Sequence, residues 1–192
     1  MKNNPDIAGA ARYLKNGGVV AYPTETSYGL GVLATDAAAV RRLFILKGRS
    51  QRKSLSVITG SLARAKKIAK FNSLALALAK KYWPGPLTLV LPVRARARLA
   101  SGVVKDGTVA LRVSSHPVAL ALTKKLGAPI VATSANRSGA PACFSIREFK
   151  KQFPKHQNIF LLDIGALPHR VPSTMIISNK KLTILRQGKI RV

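Results

Sequence analysis

The amino-acid sequence predicts a single α/β domain, and three observations support this fold class. The chain has 192 residues, of which 47% are hydrophobic, a length and apolar content that suit one packed core. Segments with helical spacing of apolar residues alternate with short apolar runs bounded by Gly, Pro or Asn, the order typical of an α/β sheet. No repeat, low-complexity tract or change of composition divides the chain. We therefore expect one domain over residues 1–192.

The first half of the chain is expected to alternate helices and strands. A helix over residues 6–15 ends before Gly17, and a buried strand over 19–22 ends at Pro23. Asp36 is a suitable N-cap for a helix whose apolar stripe runs to Leu46. The remaining elements are a strand at 55–59, one or two helices over 61–82 with a break near Asn72, and a strand at 87–91 after the rigid turn Trp83-Pro84-Gly85-Pro86.

The second half continues the alternation. Pro117 stands where the first turn of a helix over 117–126 accepts proline. A strand at 109–113 precedes this helix, and an apolar strand at 129–132 follows it and ends at Thr133. The remaining elements are a short helix near 145–151 and strands at 158–162, 174–178 and 182–185.

Basic residues dominate the charge of the chain. It contains 33 Lys and Arg against 6 Asp and Glu, which gives a formal net charge of +27. Such a field attracts polyanions, so nucleotides and RNA are the partners that it favours. A basic bias throughout the source organism would give the same composition, because net charge reports on association and solubility rather than on site chemistry.

Several classes of protein are disfavoured. The single Cys143 excludes an intramolecular disulfide framework, and no Cys and His cluster has the spacing of a metal site. The longest apolar runs are far shorter than the ~20 residues that span a bilayer, and the first residues do not lead into the apolar centre of a secretory signal. We therefore expect a cytoplasmic protein without a membrane segment.

Three polar segments stand at or near the expected ends of strands and helices. The first covers residues 22–31 and is rich in hydroxyls and glycine, the second is Lys47-Gly48-Arg49, and the third is Thr133-Ser134-Ala135-Asn136. Hydroxyls, a paired ammonium and guanidinium, and small amide groups can hold a polyphosphate beside a small polar substrate. In open α/β sheets ligands collect in crevices at strand ends, so we expect these segments to meet there. Each also has an ordinary interpretation, namely a strand-to-helix connection, a basic helix end or a turn.

The common catalytic arrangements are missing. The segment 22–31 is neither a Walker loop nor a Gly-x-Gly-x-x-Gly loop, and none of the three histidines has the neighbours of a catalytic triad. Of the six acidic residues only Glu25 and Asp36 adjoin the proposed site, which disfavours a hydrolase with paired carboxylates. Any nucleotide site here differs from the common ones.

Seven short motifs in order resemble the YrdC-like threonylcarbamoyl-AMP synthases from about Gly17 to the end of the chain. They are Pro23-Thr24-Glu25-Thr26-Ser27-Tyr28-Gly29-Leu30-Gly31, Lys47-Gly48-Arg49, Trp83-Pro84-Gly85-Pro86-Leu87-Thr88, Leu111-Arg112-Val113 with His116-Pro117, Ser134-Ala135-Asn136-Arg137-Ser138-Gly139, Pro172-Ser173-Thr174 and Ile184-Leu185-Arg186-Gln187-Gly188. The resemblance implies a twisted, open, mixed α/β sheet with flanking helices and a deep basic cleft. It also implies the short, single-domain form of the family.

The resemblance further implies a reaction and its participants. L-Threonine, bicarbonate or CO2, and ATP would give threonylcarbamoyl-adenylate and diphosphate, with Mg²⁺ accompanying the phosphates. A downstream threonylcarbamoyl transferase complex would then modify the adenosine beside the anticodon of certain tRNAs, and the basic surface of this chain would contact tRNA. No protein nucleophile is required, because the threonine amine itself attacks the carbon and positioning does most of the catalysis.

The resemblance assigns roles to residues of this sequence. Lys47 and Arg49 would be catalytic, and Thr26, Arg112 and Ser173 would hold threonine. The expected ATP ligands are Lys47, Arg49, Lys53, Thr108, Ser134, Asn136 and Arg186. No residue is expected to form a metal site of its own.

The chain departs from the family pattern at three places. Ser50 stands where the family often has Pro, Ile58 lies near a position that often holds His, and the Ser that commonly follows the Ser-Ala-Asn loop is missing near Ala142-Cys143. The core charges are nevertheless retained. A basic module that binds RNA or the ribosome without catalysis, and an enzyme that adenylates a carbamoyl group from carbamoyl phosphate, as in hydrogenase maturation, are the alternative functions.

Overall fold

A computed structural model describes residues 5–50, 55–155, 158–178 and 182–192. Its helices in chain order are α1 (Ile7–Lys15), α2 (Ala37–Lys47), α3 (Leu62–Ile68), α4 (Ser73–Tyr82), α5 (Pro117–Leu126) and α6 (Ile146–Gln152). Its strands are β1 (Val19–Pro23), β2 (Tyr28–Gly31), β3 (Ser56–Ile58), β4 (Leu87–Pro92), β5 (Thr108–Arg112), β6 (Ile130–Ser134), β7 (Ile159–Leu161), β8 (Thr174–Ser178) and β9 (Leu182–Arg186).

Local signals in the sequence place most of the helix ends. The Asp36 side chain accepts a hydrogen bond from the backbone N–H of Ala39 at 2.9 Å, and Asn72 accepts one from Ala75 at 2.7 Å. Asn72 therefore begins α4 and separates it from α3, as the break predicted there requires. Pro117 occupies the first turn of α5, where its missing N–H is not needed.

The described strands form one mixed sheet in the order β7, β1, β2, β6, β3, β5, β4, β8 and β9. Three neighbouring pairs are parallel, namely β1 with β7, β3 with β5, and β4 with β8. The other neighbours are antiparallel. The mixed sheet expected from the resemblance is confirmed.

The segment interpreted as one polar loop over residues 23–31 is a hairpin. Its second half is β2, which pairs antiparallel with β1 through Tyr22 opposite Gly29 and Val20 opposite Gly31. The two glycines obscured this strand in the sequence, because glycine weakens strand patterns. At Gly31 a Cβ would lie 2.7 Å from both Ile130 Cγ2 and Tyr22 Cε1, so the neighbouring side chains leave room for glycine alone.

The pleat of the strands separates an apolar face of the sheet from a polar one. Successive residues of a strand point to opposite faces, so Val57, Leu111 and Val131 belong to one buried cluster and Ile58 and Ile130 to another. The first cluster, against α2, α3, α4 and α6, contains most of the buried apolar side chains. On the second face α1 and α5 cover only part of the sheet.

The uncovered part of the second face carries small and polar side chains. Ser56 pairs with Ala132 of β6 and with Ala110 of β5, and Met175 pairs with Thr88 and with Arg186. Paired residues and residues two apart share a face, so Ser134 and Arg112 point to this same side. These polar residues lie on one face of the sheet, and three of them, Arg112, Ser134 and Arg186, are the last residues of β5, β6 and β9.

No helix in the described part of the chain is both long enough and apolar enough to cross a bilayer.

Gly31→Ala tests the close packing between β2 and its neighbours. The added methyl group meets two side chains and the Val131 carbonyl oxygen at 2.9 Å, so we expect a loss of about 1–3 kcal/mol in the free energy of unfolding. Urea denaturation measures this loss. Gly107→Asn is the control, because its φ is +68° and a Cβ there has no neighbour within 4 Å. A loss at Gly31 no larger than that of the control would contradict the packing described.

Candidate active site

A cavity of about 440 Å³ lies over the polar face of the sheet. Four arginines reach it from different parts of the chain, namely Arg49, Arg112, Arg170 and Arg186. The other lining residues are mostly small or hydroxyl-bearing and include Thr24, Thr26, Ser27, Ser56, Thr88, Thr133, Ser134, Ala142 and Ser173. Guanidinium and hydroxyl groups are donors, so the cavity is suited to an anionic ligand with several oxygen atoms.

Thr24 shapes the turn between β1 and β2. Its hydroxyl donates to the Ser27 carbonyl oxygen at 2.7 Å and lies 3.0 Å from the hydroxyl of Thr26. The same oxygen accepts the backbone N–H groups of Thr26 and Ser27 at 3.2 and 3.3 Å. Thr24 is buried and uses its hydroxyl within the turn, and Thr26 is the more exposed of the two threonines of this turn that line the cavity.

Lys47 and Arg49 leave the end of α2 in different directions. Gly48 between them has a φ of +59°, a left-handed conformation that favours glycine and ends the helix. Arg49 lines the cavity, whereas Lys47 is only 3% exposed and lies beneath the loop after β6. The Lys47 Nζ donates to the carbonyl oxygens of Ser134 and Asn136, the latter at 2.6 Å.

The ammonium of Lys47 therefore fastens the loop that carries Ser134 and Asn136. The Ser138 N–H donates in turn to the Lys47 carbonyl oxygen at 2.8 Å. Burial, together with the nearby positive charge of Arg49, lowers the pKa of Lys47 to about 8. The side chain is thus held by neutral carbonyl groups, without a carboxylate partner among the described residues.

Arg112 forms a buried ion pair at the wall of the cavity. Its Nη1 lies 3.3 Å from Oε1 of Glu25, with side-chain exposures of 9% and 6%. The other carboxylate oxygen, Oε2, accepts the hydroxyl of Ser114. Glu25 is not itself exposed in the cavity lining, so the pair presents only its guanidinium to a ligand.

Ser173 connects two strands beside this pair. Its hydroxyl lies 2.9 Å from that of Thr88 and accepts Nη2 of Arg186 at 2.9 Å. Nε of Arg186 donates to the Ser173 carbonyl oxygen at 2.9 Å. Burial, and then the positive charge of Arg112, lowers the pKa of Arg186, so the two guanidinium groups act on the same region of the cavity.

An irregular segment, residues 163–173, borders the cavity between β7 and β8. The Tyr28 hydroxyl donates to the Gly165 carbonyl oxygen at 2.8 Å and accepts the Ile164 N–H at 3.1 Å. The His169 ring stacks on that of Phe144 with 4.0 Å between the ring centroids. These contacts bring Arg170 to the cavity.

The Sua5/YciO/YrdC family model, which is described as telomere recombination, matches residues 12–188 of this chain. The chain belongs to this family. It is 38% identical over 171 residues to the threonylcarbamoyl-AMP synthase of Thiobacillus denitrificans, with 88% of each chain covered. It is 43% identical over 146 residues to the synthase of Halorhodospira halophila, with 75% of each chain covered.

Solved structures of the Sua5/YciO/YrdC family share the fold. The P. abyssi Sua5 structure complexed with L-threonine superposes with a TM-score of 0.87 at 38% identity, covering 95% of this chain and 54% of that one. E. coli YciO superposes with a TM-score of 0.83 at 27% identity, covering 95% and 89%. The chain also spans only 41% of the Bacillus subtilis synthase, to which it is 42% identical over 144 residues.

The structure brings six of the predicted ligand residues of this family site to one cavity. They are Thr26, Arg49, Arg112, Ser134, Ser173 and Arg186. Lys47 and Asn136 lie directly behind the cavity wall, joined to each other and to Ser134. Thr108 shares a face of β5 with Ala110 and Arg112 but does not line the cavity, and its hydroxyl donates to the Lys105 carbonyl oxygen at 2.8 Å. Lys53 lies outside the described residues.

Sequence reasoning gave no site role to three residues. Arg170 and Thr88 line the cavity, and Glu25 pairs with Arg112 behind it. Thr88 and Glu25 lie inside the family motifs, so a position beside a predicted ligand was the available signal. Arg170 lies in a segment without regular structure, and nothing in its local sequence separates it from the other basic residues.

Two of the departures from the family pattern also have a place in the structure. Ala142 lines the cavity, so the missing serine removes a hydroxyl from the wall. Ile58 is fully buried in the apolar cluster beneath α5. An apolar side chain suits that position better than an imidazole would.

The buried ammonium of Lys47 predicts a pH dependence of stability. The folded pKa of about 8 is below the ordinary value of 10.5, so between these values the unfolded chain holds a proton that the folded chain has released. Stability from this group therefore rises with pH through that range, and it is lost as the pH falls through about 8. We expect the free energy of unfolding of the native protein, relative to Lys47→Met, to increase from pH 7.5 to pH 9.5 in urea titrations.

Lys67→Met is the matched control for the loss of one positive charge, because Lys67 is exposed on α3. A difference between native protein and Lys47→Met that stays constant over the same pH range, after correction by this control, would contradict the burial of a titrating ammonium.

Proposed function

We propose that this chain is an L-threonylcarbamoyladenylate synthase, which converts L-threonine, bicarbonate or CO2, and ATP to threonylcarbamoyl-AMP and diphosphate. The observation that carries the proposal is that one cavity is lined by both sets of predicted ligands. Thr26, Arg112 and Ser173 are the predicted ligands of threonine, and Arg49, Ser134 and Arg186 are predicted ligands of the nucleotide. The relatives named threonylcarbamoyl-AMP synthase, and the Sua5 structure complexed with L-threonine, support it.

The threonine end of the cavity is proposed to lie at the ends of β5, β8 and β9. The Arg112 guanidinium is suited to the substrate carboxylate, because a planar fork can donate two parallel hydrogen bonds. The hydroxyls of Thr26 and Ser173 are placed to contact the polar groups of the amino acid. Thr88 holds the Ser173 hydroxyl at 2.9 Å.

The nucleotide end is proposed to extend from the loop after β6 toward Arg186 at the end of β9. Arg49, Arg170 and Arg186 line the cavity, and guanidinium groups of this kind neutralise a triphosphate. Lys47 and Asn136 would orient Ser134 or turn toward the phosphates when ATP binds. The described residues contain no group of three His, Cys, Asp or Glu side chains that could hold a metal ion, so Mg²⁺ would arrive bound to the phosphates of ATP. Lys53 and Thr108 stay predicted ATP ligands.

The proposed chemistry needs positioning and charge neutralisation rather than a protein nucleophile. The deprotonated threonine amine attacks the carbon of CO2 and releases a proton, or attacks bicarbonate with loss of water, and either route gives a carbamate. An oxygen of this carbamate attacks the α-phosphorus as the bond to diphosphate breaks. Charge builds up on the phosphate oxygens, where fixed guanidinium groups stabilise it. The cavity offers such groups in Arg49, Arg112, Arg170 and Arg186.

The product would serve tRNA modification. A mixed anhydride of a carbamate and AMP is labile in water, so a transferase complex must consume it, and we propose that this complex modifies the adenosine beside the anticodon of tRNA. The net charge of +27 favours direct contact with that polyanion. A cytoplasmic location and one domain over residues 1–192 complete the proposal.

A non-catalytic RNA-binding module is the second candidate, and the same net charge favours it. The two candidates differ in their response to salt. Binding of a polyanion alone should collapse between low and moderate ionic strength, whereas threonine-dependent turnover of ATP should persist.

Substitution of Lys47 or Arg49 by Ala should lower turnover by at least ~10²-fold, because each removes a positive charge from the nucleotide end. Diphosphate release with saturating substrates measures this effect. Lys67→Ala is the matched control, since it removes an exposed charge on α3. Near-normal turnover in both the Lys47 and the Arg49 variant would refute their catalytic role.

The amino-acid requirement tests the reaction itself. With ATP and labelled bicarbonate, we expect diphosphate release and a labelled adenylate with L-threonine but not with other amino acids, because the cavity has hydroxyls placed to contact the threonine side chain. Chromatography of the labelled product measures it. ATP turnover that requires carbamoyl phosphate and ignores threonine would identify the alternative carbamoyl-adenylating activity.

A further inference from the structure

We infer that Glu25 divides the cavity by charge: it neutralises Arg112, so that the threonine end accepts an amino acid and excludes phosphate groups. This makes Glu25 a positioning and specificity-determining residue. The inference rests on the proposed function, because it concerns how one cavity keeps a zwitterion and a polyphosphate in separate places.

The Glu25 carboxylate interacts mainly with Arg112. Its side chain is 6% exposed, and Oε1 lies 3.3 Å from Nη1 of Arg112. Among the described residues Oε1 has no hydrogen-bond partner, whereas Oε2 accepts the Ser114 hydroxyl. A buried carboxylate is unfavourable unless an opposite charge compensates it, and the guanidinium of Arg112 is the compensating group beside Glu25.

Arg170 and Arg186 differ from Arg112 in this respect. No other ion pair with a carboxylate joins the described residues, so Arg170 and Arg186 face the cavity without a neutralising acid. Arg112 and Glu25 together carry no net charge. The wall at Arg112 itself is therefore neutral, whereas Arg186, which donates to Ser173 beside it, and Arg170 bring positive charge to the cavity.

Charge alone then distinguishes the two substrates. A threonine zwitterion brings one carboxylate, which can bind Arg112, and one ammonium, which the field of Glu25 attracts. A phosphate group carries up to two negative charges and no positive one, so the field of Glu25 opposes it. Without Glu25, Arg112 would be an isolated guanidinium in a partly desolvated wall, which binds phosphate as well as it binds carboxylate.

Titration of inorganic phosphate into the whole protein tests this inference without any turnover. Glu25→Gln keeps the shape of the side chain and removes its charge, and we expect it to gain one phosphate site, with affinity at least ~10-fold above that of the native protein at this end. Glu25→Gln combined with Arg112→Gln should lose that site. Ser114→Ala removes the contact to Oε2 but keeps the charge, so its phosphate binding should match the native protein.

Steady-state kinetics give a second readout. In Glu25→Gln we expect phosphate to become competitive with threonine, with KM for threonine raised ~10-fold and KM for ATP changed less than ~3-fold. Glu25→Asp should restore the native KM for threonine in part. A purely structural role would instead change kcat and both KM values together and would leave phosphate binding as it is.

Equal phosphate stoichiometry and affinity in native protein and Glu25→Gln would overturn the inference. If Glu25→Gln does not fold, the same titration is made with Glu25→Asp. Its carboxylate is withdrawn by one methylene and should neutralise Arg112 less, so phosphate should bind more tightly than in the native protein. Unchanged phosphate binding in this variant would also overturn the inference. Native protein without threonine-dependent diphosphate release would refute the proposed function instead, and the phosphate titration would still report on Glu25 separately.

Discussion

The pleat of the central strands is the constraint on which the site depends. Because alternate residues point to opposite faces, one face of β3, β4, β5 and β6 can be wholly apolar while the other carries Ser56, Thr88, Arg112 and Ser134. A shift of β5 by one residue would turn the guanidinium of Arg112 into the core and Leu111 toward the cavity. The packing of the apolar face therefore fixes the positions of the ligand-binding groups.

Electrostatics set the second constraint, because so basic a chain must keep its buried charges in defined states. The two buried cations at the site, Arg112 and Lys47, have different partners. Arg112 faces a carboxylate at 3.3 Å, whereas Lys47 is held by backbone carbonyl oxygens and has its pKa lowered to about 8 by burial and the charge of Arg49. Lys47 can therefore respond to a negative ligand by taking up a proton, whereas Arg112 already faces an acidic partner.

Local signals in the sequence were enough for most of the elements. The cap at Asp36, the break near Asn72, the proline at the start of α5 and the apolar strands were predicted to within a few residues, because each depends on neighbours in the chain. Strand β2 was not predicted, since its two glycines depend on contacts with Tyr22, Ile130 and the backbone of β6. The family motifs predicted six of the cavity residues. The pairing of Glu25 with Arg112 and the position of Arg170 in the cavity wall depend on tertiary structure, so no local sequence pattern predicts them.

The position of Lys47 couples the loop after β6 to the proposed nucleotide end. Its ammonium donates to carbonyl oxygens of Ser134 and Asn136, which are neutral and only partly compensate a buried charge. A triphosphate at the cavity would be a stronger partner and would raise the pKa of Lys47 toward its ordinary value. Binding of the nucleotide would then stabilise the charged ammonium and, through the same two carbonyl groups, the loop that presents Ser134. Loss of Lys47 should therefore reduce the positive charge that faces the phosphates and disturb the geometry of the loop. For this reason its removal is expected to lower turnover more than removal of an exposed lysine does.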